Sequence, residues 1–114
     1  MLHVSDPHFG TEQVPVLEAL VGLARQLQPD LVVLSGDITQ RARSAQFDAA
    51  RRLIDQIGAP SVVIPGNHDI PLFNIGARLF HPYAGFRAAF GDALEPVYRS
   101  GQLLAIGVNT TRWY

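Results

Sequence analysis

Three short groups of polar residues each follow an apolar run of the chain. Their side chains are of the kinds that ligate metals or transfer protons. The groups are Asp6 with His8, then Asp37, and then Asn67 with His68 and Asp69. Because the carboxyl ends of strands in an open α/β sheet meet at one edge, we expect the three groups to form one site.

The first group has the spacing D-x-H. On extended backbone, residues i and i+2 point to the same side, so Asp6 and His8 are expected to reach one ion together. A carboxylate with an imidazole suits Mn, Fe or Zn better than Ca or Mg alone. Taken alone, so short a motif favours a turn aspartate beside a surface histidine, because short motifs often match by chance.

Asp37 and Asn67 extend the same chemistry. Asp37 follows Gly36, and a lone Gly-Asp pair at a strand end is most often a simple turn. A carboxylate has two oxygens, however, and can bridge two cations about 3.5–4 Å apart. Asn67 offers a neutral oxygen to one of those cations, or it serves only as a turn residue.

His68 and Asp69 provide the proton chemistry of the third group. His68 can donate a proton or stabilise an anion, with Asp69 orienting its ring. The alternative is a structural histidine that is hydrogen-bonded to Asp69. Pro65 and Gly66 end the preceding strand and let the backbone turn sharply.

The segments between these groups predict the elements that position them. Apolar runs predict strands over residues 2–5, 31–34 and 61–64, and a period of 3.6 residues predicts helices over 11–28 and 44–57. Ser44 is the expected N-cap of the second helix, and Gly58 suits its left-handed C-terminal position. The order β-α-β-α-β predicts an α/β fold with a mostly parallel sheet and right-handed crossovers.

The pattern is weaker after the third strand. Residues 70–83 contain Pro71, Gly76 and Pro82 and are interpreted as a long loop, with or without a short helical turn. A short helix over 83–90, ended by Gly91, and a hairpin of residues 97–100 and 103–108 are expected to follow. The aromatic residues here are interpreted as core or lid packing: Phe73, Phe80, Tyr83, Phe86 and Phe90.

Composition limits the class of partner. The net charge of −1 gives no support for a broad electrostatic hold on nucleic acid or on an anionic membrane. No segment approaches the ~20 apolar residues that span a bilayer, and no signal peptide is recognised. The absence of cysteine fits a cytoplasmic location, which we expect. Arg41 and Arg43 can meet a phosphate, although a solvated loop is the favoured interpretation.

Together, Asp6-Pro7-His8, Gly36-Asp37 and Gly66-Asn67-His68-Asp69 resemble the calcineurin-like metallophosphoesterase superfamily. Phe9-Gly10, Thr39 and the stretch 109–112 resemble its bacterial branch of class III cyclic-nucleotide phosphodiesterases. The resemblance implies hydrolysis of a small phosphodiester, such as a cyclic nucleotide, by a hydroxide that bridges two divalent ions (Mn, Fe or Zn). It assigns Asp6 and His8 to the first metal, Asp37 to both, and Asn67 to the second. It makes His68 and Asp69 catalytic, with Asn67 and His68 contacting substrate.

The chain departs from this family in one respect. The family adds histidine ligands from its C-terminal half, including a Gly-His-x-His motif, whereas after His68 the chain has only His81. The resemblance therefore implies that residues 1–114 are the N-terminal half of a β-sandwich flanked by helices. We expect weak metal binding and self-association through an exposed sheet surface. The alternatives are a non-catalytic domain that acts by self-association, and a phosphomonoesterase or nuclease of the same superfamily.

Overall fold

A computed structural model describes residues 1–11, 14–72 and 74–111 of the chain. Ten elements form in this part of the chain. They are β1 (Leu2–Ser5), α1 (Val14–Leu27), β2 (Val32–Ser35), α2 (Ser44–Ile57), β3 (Ser61–Ile64), a 3-10 turn (Asn67–Asp69), α3 (Ile75–Phe80), α4 (Ala84–Phe90), β4 (Val97–Arg99) and β5 (Leu104–Ile106).

The first three strands form one parallel sheet in the order β1-β2-β3. Leu2 is paired with Val32, and Val32 in turn with Ser61, so the strands run in step and end at nearly the same level. Each connection contains one helix, as parallel neighbours require. The predicted α/β fold with a mostly parallel sheet is confirmed, and the polar groups after β1, β2 and β3 leave from the same edge.

A hydrophobic core lies between this sheet and the helices. Alternate residues of β2, Val32 and Leu34, are buried in it, as are Phe47 and Leu53 of α2 and Phe86 of α4. A side-chain carbon at Gly85 would lie 2.6 Å from the Phe47 ring, so α4 can approach α2 closely only because this residue has none. The core therefore fixes the sheet edge from which the polar groups extend.

The helix boundaries differ from expectation at two positions. Helix α1 begins at Val14 with Pro15 in its first turn, so Thr11 lies outside it, while residues 12 and 13 lie outside the described residues. The N-cap of α2 is Arg43 and not Ser44, which is its first helical residue. The Arg43 side chain does not cap the N–H groups of the first turn, and the Gln46 side chain accepts a hydrogen bond from the Arg43 N–H at 3.5 Å.

The C-terminal part forms the expected short helix and hairpin. Helix α4 ends at Gly91, and β4 pairs antiparallel with β5. The stretch 70–83, expected as a long loop with or without a short helical turn, contains the six-residue helix α3, with Asn74 as its N-cap. Phe73 and residues 112–114, which the sequence interpretation also used, lie outside the described residues. Within the described part, no helix is both long enough and apolar enough to cross a membrane.

Candidate metal centre

Backbone pairing between the chain segments after β1 and β2 continues past the ends of both strands. The N–H of Asp6 donates to the carbonyl of Ser35 at 3.0 Å, and the N–H of His8 donates to that of Asp37 at 3.0 Å. Phe9 then bridges to Thr39 in parallel register, and its side chain is buried. The two loops therefore run side by side, and the polar side chains on them are held close together.

Asp6, His8 and Asp37 converge on one point. Each offers a ligand atom that lies within 4.8 Å of those of the other two. His8 Nε2 is 3.8 Å from Asp37 Oδ2, which is too long for a hydrogen bond. Two atoms that bind one ion at about 2.1 Å each lie at most about 4.2 Å apart, so this pair already spans a metal-sized gap.

The conformation that brings Asp6 and His8 together is not the extended one expected from the sequence. Asp6 has φ 50° and His8 has φ 47°, both in the left-handed region that residues other than glycine rarely adopt. The expected convergence is present, but the reason given for it, alternation along an extended strand, is wrong. Non-glycine residues in this region are strained and persist where the surrounding structure holds them, commonly at functional sites.

Two glycines leave room for the carboxylates. A side-chain carbon at Gly36, which has φ +71°, would lie 2.6 Å from Asp6 Oδ1. One at Gly66 would overlap both the backbone nitrogen and the Oδ1 of Asp37. Glycine at these positions is therefore required by the close approach of Asp6 and Asp37 to the neighbouring backbone.

The donor set fits a divalent transition metal. It consists of two carboxylates and an imidazole, the combination that suits Mn, Fe or Zn. Within the described part of the chain, His8 Nδ1 is buried and has no hydrogen-bond partner. A buried polar atom without a partner costs free energy, whereas the other ring nitrogen, Nε2, is the one that faces Asp37.

The segment after β3 reaches the same point through Asp37. The His68 N–H donates to Asp37 Oδ1 at 2.9 Å, while the other carboxylate oxygen faces His8. The Asp37 carboxylate thus lies between the loops that follow β1 and β3. Asn67 precedes His68 in the 3-10 turn and is exposed at this edge. The structure therefore brings the residues of all three groups to one edge, as predicted.

The ring of His68 is oriented by the backbone. Its Nδ1 lies 2.8 Å from the carbonyl oxygen of Gln40, and because a carbonyl only accepts, Nδ1 carries the proton. In the neutral ring, Nε2 is then the basic nitrogen. The His68 ring also packs edge-on against His8, with ring centres 5.1 Å apart. The expectation that Asp69 holds the His68 ring is therefore wrong, because Gln40 occupies the position that Asp69 was expected to take.

Asp69 instead connects the loops beneath the site. Its side chain is 1% exposed and accepts hydrogen bonds from the N–H groups of Ile38, Thr39 and Gly66 at 3.0, 2.7 and 2.8 Å. The Thr39 hydroxyl donates a further bond at 2.8 Å. Burial raises the pKa of the Asp69 carboxyl above its ordinary value, and these four hydrogen bonds limit the rise. Asp69 is thus a positioning residue that joins the segment after β3 to the segment after β2.

Sequence reasoning missed two contributors to this arrangement. Thr39 is fully buried, and its hydroxyl accepts a hydrogen bond from the Ala42 N–H while donating to Asp69. Gln40 contributes only a backbone carbonyl, which no sequence motif reveals. The pattern Gly-Asp-x-Thr beside a buried aspartate was the signal available for Thr39, because a buried carboxylate requires donors.

Comparison with known proteins identifies relatives. The family model of calcineurin-like phosphoesterases matches residues 1–110. A probable cyclic nucleotide phosphodiesterase of Synechococcus sp. is 36% identical over 91 residues, covering 78% of this chain and 31% of the relative. The glycerophosphodiester phosphodiesterase GpdQ of Enterobacter lignolyticus is 33% identical over 82 residues, covering 60% of this chain and 29% of the relative.

A further relative belongs to a nuclease. One component of the nuclease SbcCD of Bacillus subtilis is 30% identical over 127 residues, covering 94% of this chain and 32% of the relative. The chain spans about a third of the length of these relatives. The family model nevertheless covers nearly all of this chain, which confirms the resemblance inferred from the motifs. The chain belongs to the calcineurin-like phosphoesterase family.

Proposed function

We propose that this chain carries the metal-binding part of a phosphodiesterase that acts on a small phosphodiester, such as a cyclic nucleotide. The observation that carries the proposal is the position of the Asp37 carboxylate, with one oxygen facing His8 and the other bonded to the segment after β3. Two relatives are named as phosphodiesterases, one of cyclic nucleotides and one of glycerophosphodiesters. A cytoplasmic location is part of the proposal.

In this proposal Asp6 and His8 hold a first divalent ion, Asp37 contacts two, and Asn67 holds the second. Mn, Fe and Zn all suit these ligands. Bound ions would supply Lewis-acid polarisation of the phosphoryl group and activation of water. We propose that further ligands come from chain outside residues 1–114, since the chain spans about a third of its relatives and offers few ligands to each ion.

The side chains of the third group then act on the substrate. With Nδ1–H held by the Gln40 carbonyl, the Nε2 of His68 is the atom that exchanges a proton. In the imidazolium form it donates to the departing ester oxygen, and in the neutral form it accepts a hydrogen bond. Asn67 offers its amide to a phosphoryl oxygen as well as to a metal. Asp69 contributes by fixing the turn that carries both residues.

Manganese binding and hydrolysis test the proposal together. We expect Mn to bind the chain, and Asp37→Asn to weaken binding about tenfold or more, because it removes a charged ligand. Asp48→Asn, the same change at an exposed position on α2, is the matched control. Hydrolysis of bis-p-nitrophenyl phosphate should require Mn and fall on His68→Ala. Equal Mn affinity in the wild type and Asp37→Asn would refute the metal assignment.

We propose a second, non-catalytic role in self-association, which the hairpin favours. Its apolar residues Val97, Leu104 and Ile106 are 61%, 52% and 63% exposed. Such a patch on a short exposed sheet favours association with another copy. Sedimentation over a range of concentrations should show dimers, and Ile106→Lys should shift the equilibrium to monomer. A wild-type chain that stays monomeric at high concentration would rule out this role.

A further inference from the structure

Two adjoining cavities open beside the third polar group. The smaller one, of about 180 Å³, includes both Asn67 and His68 in its wall. The larger one, of about 550 Å³, shares Arg41 and Leu72 with it, so the two form one continuous depression. A substrate whose phosphate contacts His68 would therefore direct one of its two ester arms into this depression.

The described wall of the depression is positively charged. Three arginines line it, Arg41, Arg43 and Arg78, and no aspartate or glutamate is among its described lining residues. The chain as a whole has a net charge of −1, so this concentration of positive charge is local. A concave surface lined by one sign of charge focuses the field and attracts ligands of the opposite sign.

The loop that carries two of the arginines is held in place by hydrogen bonds. The Gln46 side-chain oxygen accepts from the N–H groups of Arg41 and Arg43 at 2.9 and 3.5 Å. Between them, Ala42 adopts φ 54°, and its N–H donates to the Thr39 hydroxyl at 2.9 Å. The same hydroxyl donates to Asp69, so the arginine loop and the turn carrying His68 are tied to one buried residue.

Arg78, from helix α3, lines the smaller cavity together with Arg41. It is half-buried and donates one hydrogen bond from Nη1 to the carbonyl of Pro71 at 3.2 Å. A guanidinium has five N–H donors, so this bond positions the group and leaves others for a ligand. The apolar residues Ile70 and Leu72 line the same cavity. The combination suits a phosphate attached to a less polar group.

We propose that the depression binds a second phosphate carried on one arm of the substrate, held by Arg41 and Arg78. This inference rests on the proposed phosphodiesterase function and narrows its substrate class. Among small phosphodiesters, those that bear an additional phosphate should be preferred over diesters with a single negative charge, simple cyclic nucleotides included. Planar guanidinium groups bind phosphate oxygens through paired hydrogen bonds, which supplies the selectivity.

Binding of thymidine nucleotides tests the assignment without relying on catalysis. With Mn present, calorimetry should show thymidine 3′,5′-bisphosphate binding about tenfold or more tightly than thymidine 5′-monophosphate. The double variant Arg41→Gln/Arg78→Gln should lose this preference. Arg25→Gln/Arg52→Gln, with the same loss of charge at exposed helical positions, should keep it. Arg41→Gln alone should reduce the preference, and Arg41 is exposed, so this variant is expected to stay folded.

Hydrolysis distinguishes failure of this inference from failure of the proposed function. Thymidine 5′-(p-nitrophenyl phosphate) is compared with its 3′-phosphorylated derivative, and we expect the 3′-phosphate to raise kcat/KM about tenfold through Arg41 and Arg78. A bisphosphate that binds no better than the monophosphate, or a preference that survives in the double variant, would overturn the inference. If the wild type neither binds Mn nor turns over substrate, but still shows the arginine-dependent preference for the bisphosphate, the proposed phosphodiesterase function is overturned and the phosphate site at Arg41 and Arg78 stands.

Discussion

Replacing Asp69 with asparagine tests whether this residue holds together the loops beneath the site. Its Oδ1 accepts from the Thr39 N–H and hydroxyl, and its Oδ2 accepts from the N–H groups of Ile38 and Gly66. In Asp69→Asn one of these oxygens becomes an NH₂ group, which donates and cannot accept. With the NH₂ toward Ile38 and Gly66, two N–H donors lose their acceptor. With the NH₂ toward Thr39, only the Thr39 N–H does, because the Thr39 hydroxyl can turn its proton to the His68 carbonyl at 3.3 Å and accept from the amide.

The magnitude follows from the number of donors left without an acceptor. The better amide orientation leaves one buried donor, the Thr39 N–H, without an acceptor, which costs about 1–3 kcal/mol. Removing the charge offsets part of this loss, because burial disfavours the ionised carboxylate and raises its pKa. We therefore expect the free energy of unfolding to fall by about 1–2 kcal/mol, a measurable share of the stability of a small domain.

Urea denaturation followed by circular dichroism measures this difference. Asp48→Asn is the matched control, because Asp48 is exposed on α2 and the same change there should alter the free energy of unfolding by less than about 0.5 kcal/mol. Mn affinity should fall together with stability in Asp69→Asn, since the turn that carries His68 loses its attachment to Thr39. A variant less than about 1 kcal/mol weaker than the wild type would refute the positioning role.

Three further predictions concern the same site. Gly66→Ala should lower Mn affinity about tenfold or more, because the added carbon would displace Asp37. Gly101→Ala, which has open space around it, should leave Mn affinity unchanged, and equal affinities of the two variants would contradict the role of Gly66. The Asp69 carboxyl carbon should titrate above the ordinary pKa of 3.8 in a ¹³C NMR titration. The folded-state pKa of Asp69 exceeds its unfolded value, so the stability contributed by the protonated carboxyl is fully present below pH 3.8 and is lost as pH rises through the raised pKa. Titration of Asp69 at or below pH 3.8 would contradict the raised pKa. Phe9→Ala should lower the free energy of unfolding by about 3–5 kcal/mol, because Phe9 is buried. Phe80→Ala, at a 76% exposed position, should lower it by less than about 1 kcal/mol. Similar losses in the two variants would show that burial of Phe9 does not hold the loop after β1 in place.

The sequence predicted the architecture well because its signals are local. Each strand is a short apolar run, and α1 and α2 repeat apolar residues with the period of a helix. Gly58 takes the predicted left-handed conformation at the end of α2, with φ 75°. The N-cap of the same helix was mispredicted, because Ser44 is already helical and Arg43, whose N–H donates to the Gln46 side chain, precedes it. The contact between Gln46 and Arg43 depends on one side-chain conformation and leaves no pattern in the sequence.

The amino-acid sequence by itself determined the family, the parallel sheet and the residues gathered at its edge, since these follow from residue types and spacing along the chain. Only the tertiary structure decided how those residues are held. It assigned the His68 ring to the Gln40 carbonyl, buried Asp69 against backbone donors of the segment after β2, and brought Arg78 and Arg41 to one cavity. These contacts join residues about 30 or more positions apart, through backbone groups or a shared cavity. Because every residue other than proline has the same backbone groups, the sequence alone does not reveal which backbone groups will meet.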